Sequence, residues 1–282
     1  MQRKEHQTGN RREKTVEIDL HTVLSVFLLV IMGVLLFFVL FHFIKAFVPI
    51  SRFEVKGDTE YTASELAGAA DIKRGDKLFR LDLREEKNEI ISKCPYVESI
   101  DINRSLFGKM TFVVKCYEPV WYLEISGDYY VLDRELRVLE ETQDVDRLYN
   151  SDLIYLTMPH LKGVIVGQTL VFGDSDGEVK ETMAIMDTVL SSPTFDMICT
   201  ADIDNRYDIH FEFDRIVLQG KGEDKELDDV FVVNVGSYTR LEAKLEYIVM
   251  ALESEDLEGA VGGTIDVTEE GNKVSIRTKY TQ

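Results

Sequence analysis

The longest apolar stretch of the chain runs through residues 23–41, which contain no charge and nothing more polar than Ser25. About 20 apolar residues, rising about 1.5 Å each, form a helix that crosses a hydrocarbon core of roughly 30 Å. A buried helix of a soluble protein would have one polar face, and a cleaved signal sequence would have a shorter apolar run followed by small residues. The pattern therefore predicts one permanent transmembrane helix, within 23–48, after a tail at 1–22.

Between the span and Pro119, helical and strand periodicities alternate in the order β-α-α-β-β. Thr62 and Glu65 form a capping-box pattern that predicts a helix start, and Asp82 is the predicted cap of the second helix. The last strand should turn alternate side chains inward. The predicted elements are a strand at 53–57, helices at 62–70 and 82–92, and strands at 96–104 and 110–117, the last with Met110, Phe112, Val114 and Cys116 inward against Thr111, Lys115 and Tyr117.

After Pro119 the alternation of a strand dominates, interrupted by two helical patterns. The second of these helices begins with another capping-box pattern, Thr239 with Glu242. The fold class predicted is α+β: one transmembrane helix, a β-α-α-β-β domain at 49–119, and a mixed, mostly antiparallel β domain with two helices at 120–282. The predicted strands of the second domain are 120–125, 129–132, 136–140, 153–157, 209–213, 216–219, 231–235, 264–268 and 273–278, and its helices are 177–191 and 239–253.

The charges next to the span predict its orientation. Five basic residues precede it, whereas Lys45, Arg52 and Lys56 lie within a similar distance after it. Lys and Arg near a span stay on the cytoplasmic side, so we expect a cytoplasmic amino terminus and an exported carboxyl part. That exported part has 26 basic and 47 acidic residues, a net charge of −21. Such a charge argues against nucleic acid and anionic lipid as ligands and favours a basic partner.

Candidate chemical sites are few. Ser175 lies in a G-x-S-x-G pattern, which in a hydrolase would expose a nucleophile on a sharp turn, but the only later histidine is His210. A calcium site at Asp174 and Asp176 lacks further oxygens at the required spacing, and His160 and His210 lack zinc-ligand neighbours. Three cysteines leave a Cys94–Cys116 bridge open and provide no C-x-x-C pair. We expect no catalytic residues, no metal and no cofactor.

The pattern near the chain end predicts a different kind of site. Val274, Ile276 and Thr278 alternate with Ser275 and Arg277, as in a half-buried strand. If the strand is at a sheet edge, its open backbone groups could pair with a partner strand by β-augmentation. The alternative is an edge protected from aggregation by Lys273, Arg277 and Lys279. The predicted partner-binding residues are Val274, Ser275, Ile276, Arg277, Thr278 and Tyr280.

Short motifs in this order resemble the FtsQ/DivIB cell-division proteins. They cover nearly the whole chain: FEVKG at 53–57, GDKL at 75–78, PYV at 95–97, EPV at 118–120, YVLD at 130–133, a P-x-L-x-G turn at 159–163 and GTIDV at 263–267. Two departures are the turn Phe107-Gly108-Lys109, where the family has a proline, and Glu135, where it tends to have glycine. Residues 172–231 match poorly.

The resemblance implies a POTRA-like first domain and a non-enzymatic, single-pass scaffold of the bacterial division machinery. Its implied partners are FtsB/DivIC-like and FtsL-like bitopic proteins, bound at the carboxyl end, with no nucleic acid and no small-molecule substrate. Its location would be the cytoplasmic membrane, enriched at the division septum, where it would license peptidoglycan synthesis. Two alternatives remain open: a POTRA-bearing component of polypeptide transport, and a membrane-anchored hydrolase that uses Ser175.

Overall fold

The computed structural model describes residues 20–159, 161–173, 176–213, 230–257, 260–267 and 273–280. Helix α1, Leu20–Phe47, contains the apolar stretch. Its segment Val23–Phe43 has a mean hydropathy of 3.2 and none of it is buried against the rest of the described chain. At about 1.5 Å per residue these 21 residues span about 31 Å, so α1 meets the length and composition of a membrane-crossing helix.

The next elements form the expected β-α-α-β-β domain. They are β1 (Arg52–Lys56), α2 (Ala63–Ala69), α3 (Leu83–Lys93), β2 (Val97–Arg104) and β3 (Lys109–Cys116). Both bonds of the predicted capping box are present between Thr62 and Glu65, and the Asp82 carboxylate accepts from the Arg84 N–H. Local sequence signals therefore define where both helices begin.

In this domain the sheet order is β1-β3-β2, with β3 parallel to β1 and antiparallel to β2. Met110, Phe112 and Val114 face the core as predicted. Thr111, which was expected to face solvent, is instead only 7% exposed. Because β3 is the central strand, Thr111 is paired with Glu54 on one side and Asn103 on the other, so a neighbouring strand lies on each side of it.

The second domain is built on a nine-stranded sheet of order β14-β13-β12-β11-β10-β7-β4-β5-β6. Five of its eight strand pairs are antiparallel, and the pairs β4–β7, β7–β10 and β12–β13 are parallel. The fold class is therefore the predicted α+β. The strands are β4 (Pro119–Ile125), β5 (Asp128–Asp133), β6 (Val138–Thr142), β7 (Ile154–Thr157), β10 (Ile198–Asp202), β11 (Ile209–Phe213), β12 (Phe231–Gly236), β13 (Ala260–Val267) and β14 (Val274–Tyr280), with a separate small pair β8 (Leu161–Gly163) and β9 (Val171–Phe172).

Helices cover one face of this sheet. These are α5 (Asp176–Ser191) and α6 (Leu241–Leu252), while the short α4 (Val145–Tyr149) belongs to a small cluster on the opposite face. The apolar sides of α5 and α6 join the strand side chains in one core. A buried lysine fixes α6 further, because Lys244 Nζ donates to the Val235 and Ser237 carbonyls at 2.9 and 2.7 Å.

In this domain the sequence analysis missed one strand, was wrong about one helix cap, and predicted one strand that lies outside the residues the structure describes. Strand β10 was not predicted, because a bulge between Ile198 and Thr200 interrupts the alternation. The capping box predicted at Thr239 and Glu242 is wrong. Helix α6 begins at Leu241, two residues after the predicted start, its cap is Arg240 in the left-handed region (φ 58°), and no side-chain hydrogen bond caps it. The strand predicted at 216–219 lies outside the described residues.

The two domains are joined by a two-residue connection between β3 and β4 and by side-chain contacts. Tyr96 Oη donates to Glu140 Oε2 at 2.7 Å, and Arg147 Nη2 donates to the other Glu140 oxygen at 2.8 Å. The Arg137 guanidinium lies 5.0 Å from the centre of the Tyr117 ring. Burial and the neighbouring Glu140 raise the pKa of Tyr96, so the hydroxyl remains a hydrogen-bond donor at neutral pH.

Candidate partner-binding edge

Strand β14 is the last strand of the nine-stranded sheet. It pairs antiparallel with β13 over its whole length, from Val267 opposite Val274 to Ala260 opposite Tyr280. In the described part of the chain no strand pairs with its outer side. The residues predicted to form the site therefore lie together on one edge strand, with the backbone groups of that side available for pairing.

The opposite edge of the sheet is arranged differently. Beside β6, the Val138 N–H donates to the Gln168 carbonyl at 2.9 Å, and the Gly167 N–H donates to the Val138 carbonyl at 2.7 Å. A further bridge joins Arg137 to Thr169. The segment 167–169 thus covers the start of β6, whereas the described residues contain no equivalent cover along β14. This difference selects β14 as the edge suited to β-augmentation.

From Val274 to Arg277 the side chains of β14 alternate as the sequence predicts, whereas Thr278, expected on the side of Val274 and Ile276, is exposed. Val274 and Ile276 are half-buried and pack against the sheet core, whereas Ser275, Arg277 and Thr278 are exposed. The side chain of Tyr280 lies outside the described positions, although its backbone is part of the strand. A strand added at this edge would therefore extend a continuous apolar side as well as a polar one.

Two glycines allow β13 to approach its neighbours closely. A Cβ on Gly262 would lie 2.5 Å from the Val230 carbonyl oxygen, and a Cβ on Gly263 would lie 2.1 Å from the Arg277 carbonyl oxygen. Neither distance is compatible with a side chain, so glycine is required at both positions. The pair lies beside a bulge in β13, between Ala260 and Gly262, and therefore determines how β14 is presented.

A row of polar side chains crosses the face of the sheet opposite α5 and α6 and ends on β14; the sequence analysis did not predict it. His210 Nδ1 is 2.9 Å from Asn234 Oδ1, the Asn234 amide donates to Asp266, and Arg277 Nη2 donates to the second Asp266 oxygen at 2.9 Å. Hydrogen bonds from Asn234 and then Arg277 hold the pKa of Asp266 below its ordinary value. Each residue is on a different strand, β11 to β14, so only the strand order brings them together.

Among the residues that the structure describes, the candidate catalytic and metal-binding residues do not come together in a site. Ser175, Asp174 and His160 lie outside the described residues. His210 belongs to the polar row and is 3.2 Å from Asp208. Within the described ranges no group of three metal-ligating side chains occurs. No disulfide joins Cys94, which is buried, to Cys116.

Comparison with known proteins agrees with this architecture. Residues 48–115 match the family described as POTRA domain, FtsQ-type. The chain is 25% identical over 226 residues to the cell division protein DivIB of Clostridium botulinum strain Hall, covering 80% of each protein. It is 24% identical to DivIB of Clostridium tetani, over 78% of this chain and 76% of that one. A shorter match, 27% over 110 residues, is to the cell division protein FtsQ of Corynebacterium glutamicum, covering 39% of this chain and 46% of the relative.

In the described residues, an apolar helix is followed by a domain that matches the FtsQ-type POTRA family and by a β domain whose last strand is an open sheet edge. This is the layout of a protein with a candidate membrane span and two folded domains. Through this domain match and the matches over about 80% of its length, the chain is similar to the DivIB cell division proteins.

Proposed function

We propose that this chain is a non-enzymatic cell-division protein that holds other small membrane proteins at the septum. The observation that carries the proposal is the open edge strand β14 in a chain with a candidate membrane anchor and an FtsQ-type POTRA domain. The names of the relatives, cell division proteins DivIB and FtsQ, support the cellular process. The partners are FtsB/DivIC-like and FtsL-like bitopic proteins, and the outcome is licensed septal peptidoglycan synthesis.

The anchor is α1, with the amino terminus in the cytoplasm and both domains outside it. The excess of basic residues before the span supports this orientation. Protease added to intact cells, after any outer membrane is opened, should digest the chain from Pro49 onward and spare the tail. Digestion of the tail alone would reverse the orientation and remove the edge strand from the compartment where exported partners lie.

Cellular location distinguishes this function from the alternatives. A fluorescent fusion should form a band at mid-cell, because a division scaffold acts only where the septum is built. A component of polypeptide transport would be distributed over the envelope, and a hydrolase would lose its activity on Ser175→Ala. A uniform envelope signal would contradict the division role.

Binding at β14 is proposed to use its outward backbone groups, so proline substitutions provide the sharpest test. The N–H groups of successive strand residues point to opposite sides of the strand. Of the two variants Ser275→Pro and Ile276→Pro, one therefore removes an N–H that points outward, and the other removes an N–H that bonds to β13. The outward variant should retain the sheet and lose partner binding. The inward variant should loosen β14 itself.

Partner capture by the two variants is measured by co-purification with an FtsB/DivIC-like partner, and the fold is measured by hydrogen exchange of β13. Arg277→Glu is the milder companion: added negative charge should slow association with an effect that decreases as salt rises. Capture unchanged in both proline variants, or in a chain that ends at Gly271, would exclude this edge as the binding site.

A further inference from the structure

The turn between β2 and β3 exposes two large apolar side chains. Phe107 is 92% exposed, more than any other large apolar side chain in the described part of the chain, and Leu106 is 45% exposed. Exposed apolar residues next to each other in a turn contribute nothing to the core and usually mark a contact surface.

The turn is held against the segment that leaves α1. The Ser51 N–H donates to the Gly108 carbonyl at 2.8 Å, and the Ser51 hydroxyl donates to the same oxygen at 3.1 Å. A Cβ on Gly108, whose φ is +78°, would lie 2.5 Å from the Pro49 carbonyl oxygen, so glycine is needed for this contact. Ser51 is four positions after Phe47, the last residue of α1, and four extended residues reach at most about 14 Å.

The same segment is also bonded to the rest of the domain, which leaves no slack linker after α1. The Leu78 N–H donates to the Val48 carbonyl at 3.0 Å, and the Ile50 N–H donates to the Asp76 carbonyl at 2.8 Å. Lys77 Nζ lies 5.3 Å from the centre of the Phe47 ring. The first domain therefore begins directly at the end of the candidate span, and its apolar turn lies close to that end.

The charge of the first domain allows contact with a bilayer. Residues 48–116 contain 12 basic and 12 acidic residues, whereas residues 117–282 contain 14 basic and 35 acidic residues. Near the turn, Lys109 is paired with Glu54 at 2.6 Å, and Arg52 and Lys56 are exposed at the two ends of β1. The acidic excess of the exported part thus belongs to the β domain alone, and the domain next to the span carries no net repulsion from anionic lipid.

We propose that the turn 105–108 docks into the interface of the bilayer that α1 spans, with Phe107 and Leu106 entering the boundary between headgroups and acyl chains. The proposal rests on the proposed anchoring by α1. Aromatic side chains favour this depth, and an apolar turn beside a span reaches it without any other membrane-binding element. Lipid is therefore the partner that covers Leu106 and Phe107, and docking would fix the orientation of the first domain relative to the membrane.

The test uses the full chain reconstituted in vesicles of phosphatidylcholine and phosphatidylglycerol with brominated acyl chains, which quench tryptophan on contact. Phe107→Trp places a reporter on the turn. Tyr207→Trp is the matched control, since Tyr207 is an aromatic residue, 63% exposed, at the β10–β11 connection of the β domain. The natural Trp121 is fully buried, and its emission in the unmodified protein is the background to subtract.

We expect the added emission of Phe107→Trp to be blue-shifted and at least half quenched, and that of Tyr207→Trp to be unchanged. Equal quenching in the two variants, or none in either, would overturn the proposal, and no quenching of Phe107→Trp would leave a protein partner as the occupant of the turn. Retention in the vesicles after alkaline carbonate treatment tests α1 separately. A retained but unquenched protein contradicts only the turn, whereas a protein released by carbonate contradicts the anchor and the docking together.

Discussion

Replacing Gly263 by alanine should detach the edge strand without disturbing the rest of the sheet. The new Cβ would lie 2.1 Å from the Arg277 carbonyl oxygen and 3.1 Å from the Thr278 Cα, both of which are backbone atoms of β14. Backbone cannot rotate away as a side chain can. The strand itself must therefore move outward.

The size of the effect follows from this geometry. An ordinary contact begins near 3.4 Å, so β14 must move by about 1.3 Å at this point. Such a shift lengthens the adjacent N–H···O bonds beyond the range in which they hold. Losing one or two backbone bonds, at about 0.5–1.5 kcal/mol each, or straining the strands to keep them, costs about 1–3 kcal/mol. The opening equilibrium of β14 should therefore rise by about 5- to 150-fold.

Hydrogen exchange with mass spectrometry measures this on the full chain in detergent micelles. Amides of Val274–Tyr280 should exchange faster in Gly263→Ala, while those of β11 remain as in the unmodified protein. Gly163→Ala is the control, because a Cβ at Gly163 meets no atom within 4 Å, and its effect should stay within about 0.5 kcal/mol. If β14 exchanges at the same rate in both variants, the close approach does not hold the edge strand in place.

Two further predictions concern groups away from the edge. Tyr96→Phe removes the donor to Glu140 and should uncouple the domains, giving two resolved thermal transitions in place of a shared one; an unchanged melting curve would contradict the coupling. Burial raises the pKa of Asp133 although its Oδ1 accepts from the Glu135 and Arg137 N–H groups, so the native state holds this proton to higher pH than the unfolded chain. Stability attributable to Asp133 therefore falls as pH rises through the raised pKa, and Asp133→Asn should gain stability relative to the unmodified chain between acidic and neutral pH in urea titrations; a pH-independent difference would contradict this.

Sequence reasoning was most accurate where the signal is local. The start of α2 depends on Thr62 and Glu65, which are three residues apart and meet as soon as the helix turns. The same pattern at Thr239 and Glu242 was misleading, because Arg240 adopts the left-handed region and becomes the cap. Strand β10 was missed since its bulge breaks the period of two on which strand prediction depends.

The sequence likewise predicts some features of the candidate site and not others. The alternation of β14 is visible in the sequence, since Val274 and Ile276 are two residues apart. The polar residues next to β14 cannot be predicted from the sequence, because Asp266, Asn234 and His210 come into line with Arg277 only through the order of four strands. Gly263 was noted as part of a family motif, but its physical reason, the approach of the Arg277 carbonyl, appears only when β13 and β14 are paired.

The difference in charge between the two domains affects how α1, the turn 105–108 and the edge strand β14 would be arranged at a membrane. The proposed docking of the neutral first domain would draw the β domain toward anionic lipid, but the β domain carries a net charge of −21 and is repelled by it. At physiological ionic strength this repulsion acts over about 8 Å, which is enough to disfavour direct contact without opposing the docked turn. Tyr96 of the first domain donates to Glu140 of the β domain, and Arg147 of the β domain binds the other Glu140 oxygen, so this contact couples the orientation of the first domain to that of the second. Under the proposed docking the β domain would be held off the surface, and β14 would stay accessible to the proposed partner strand.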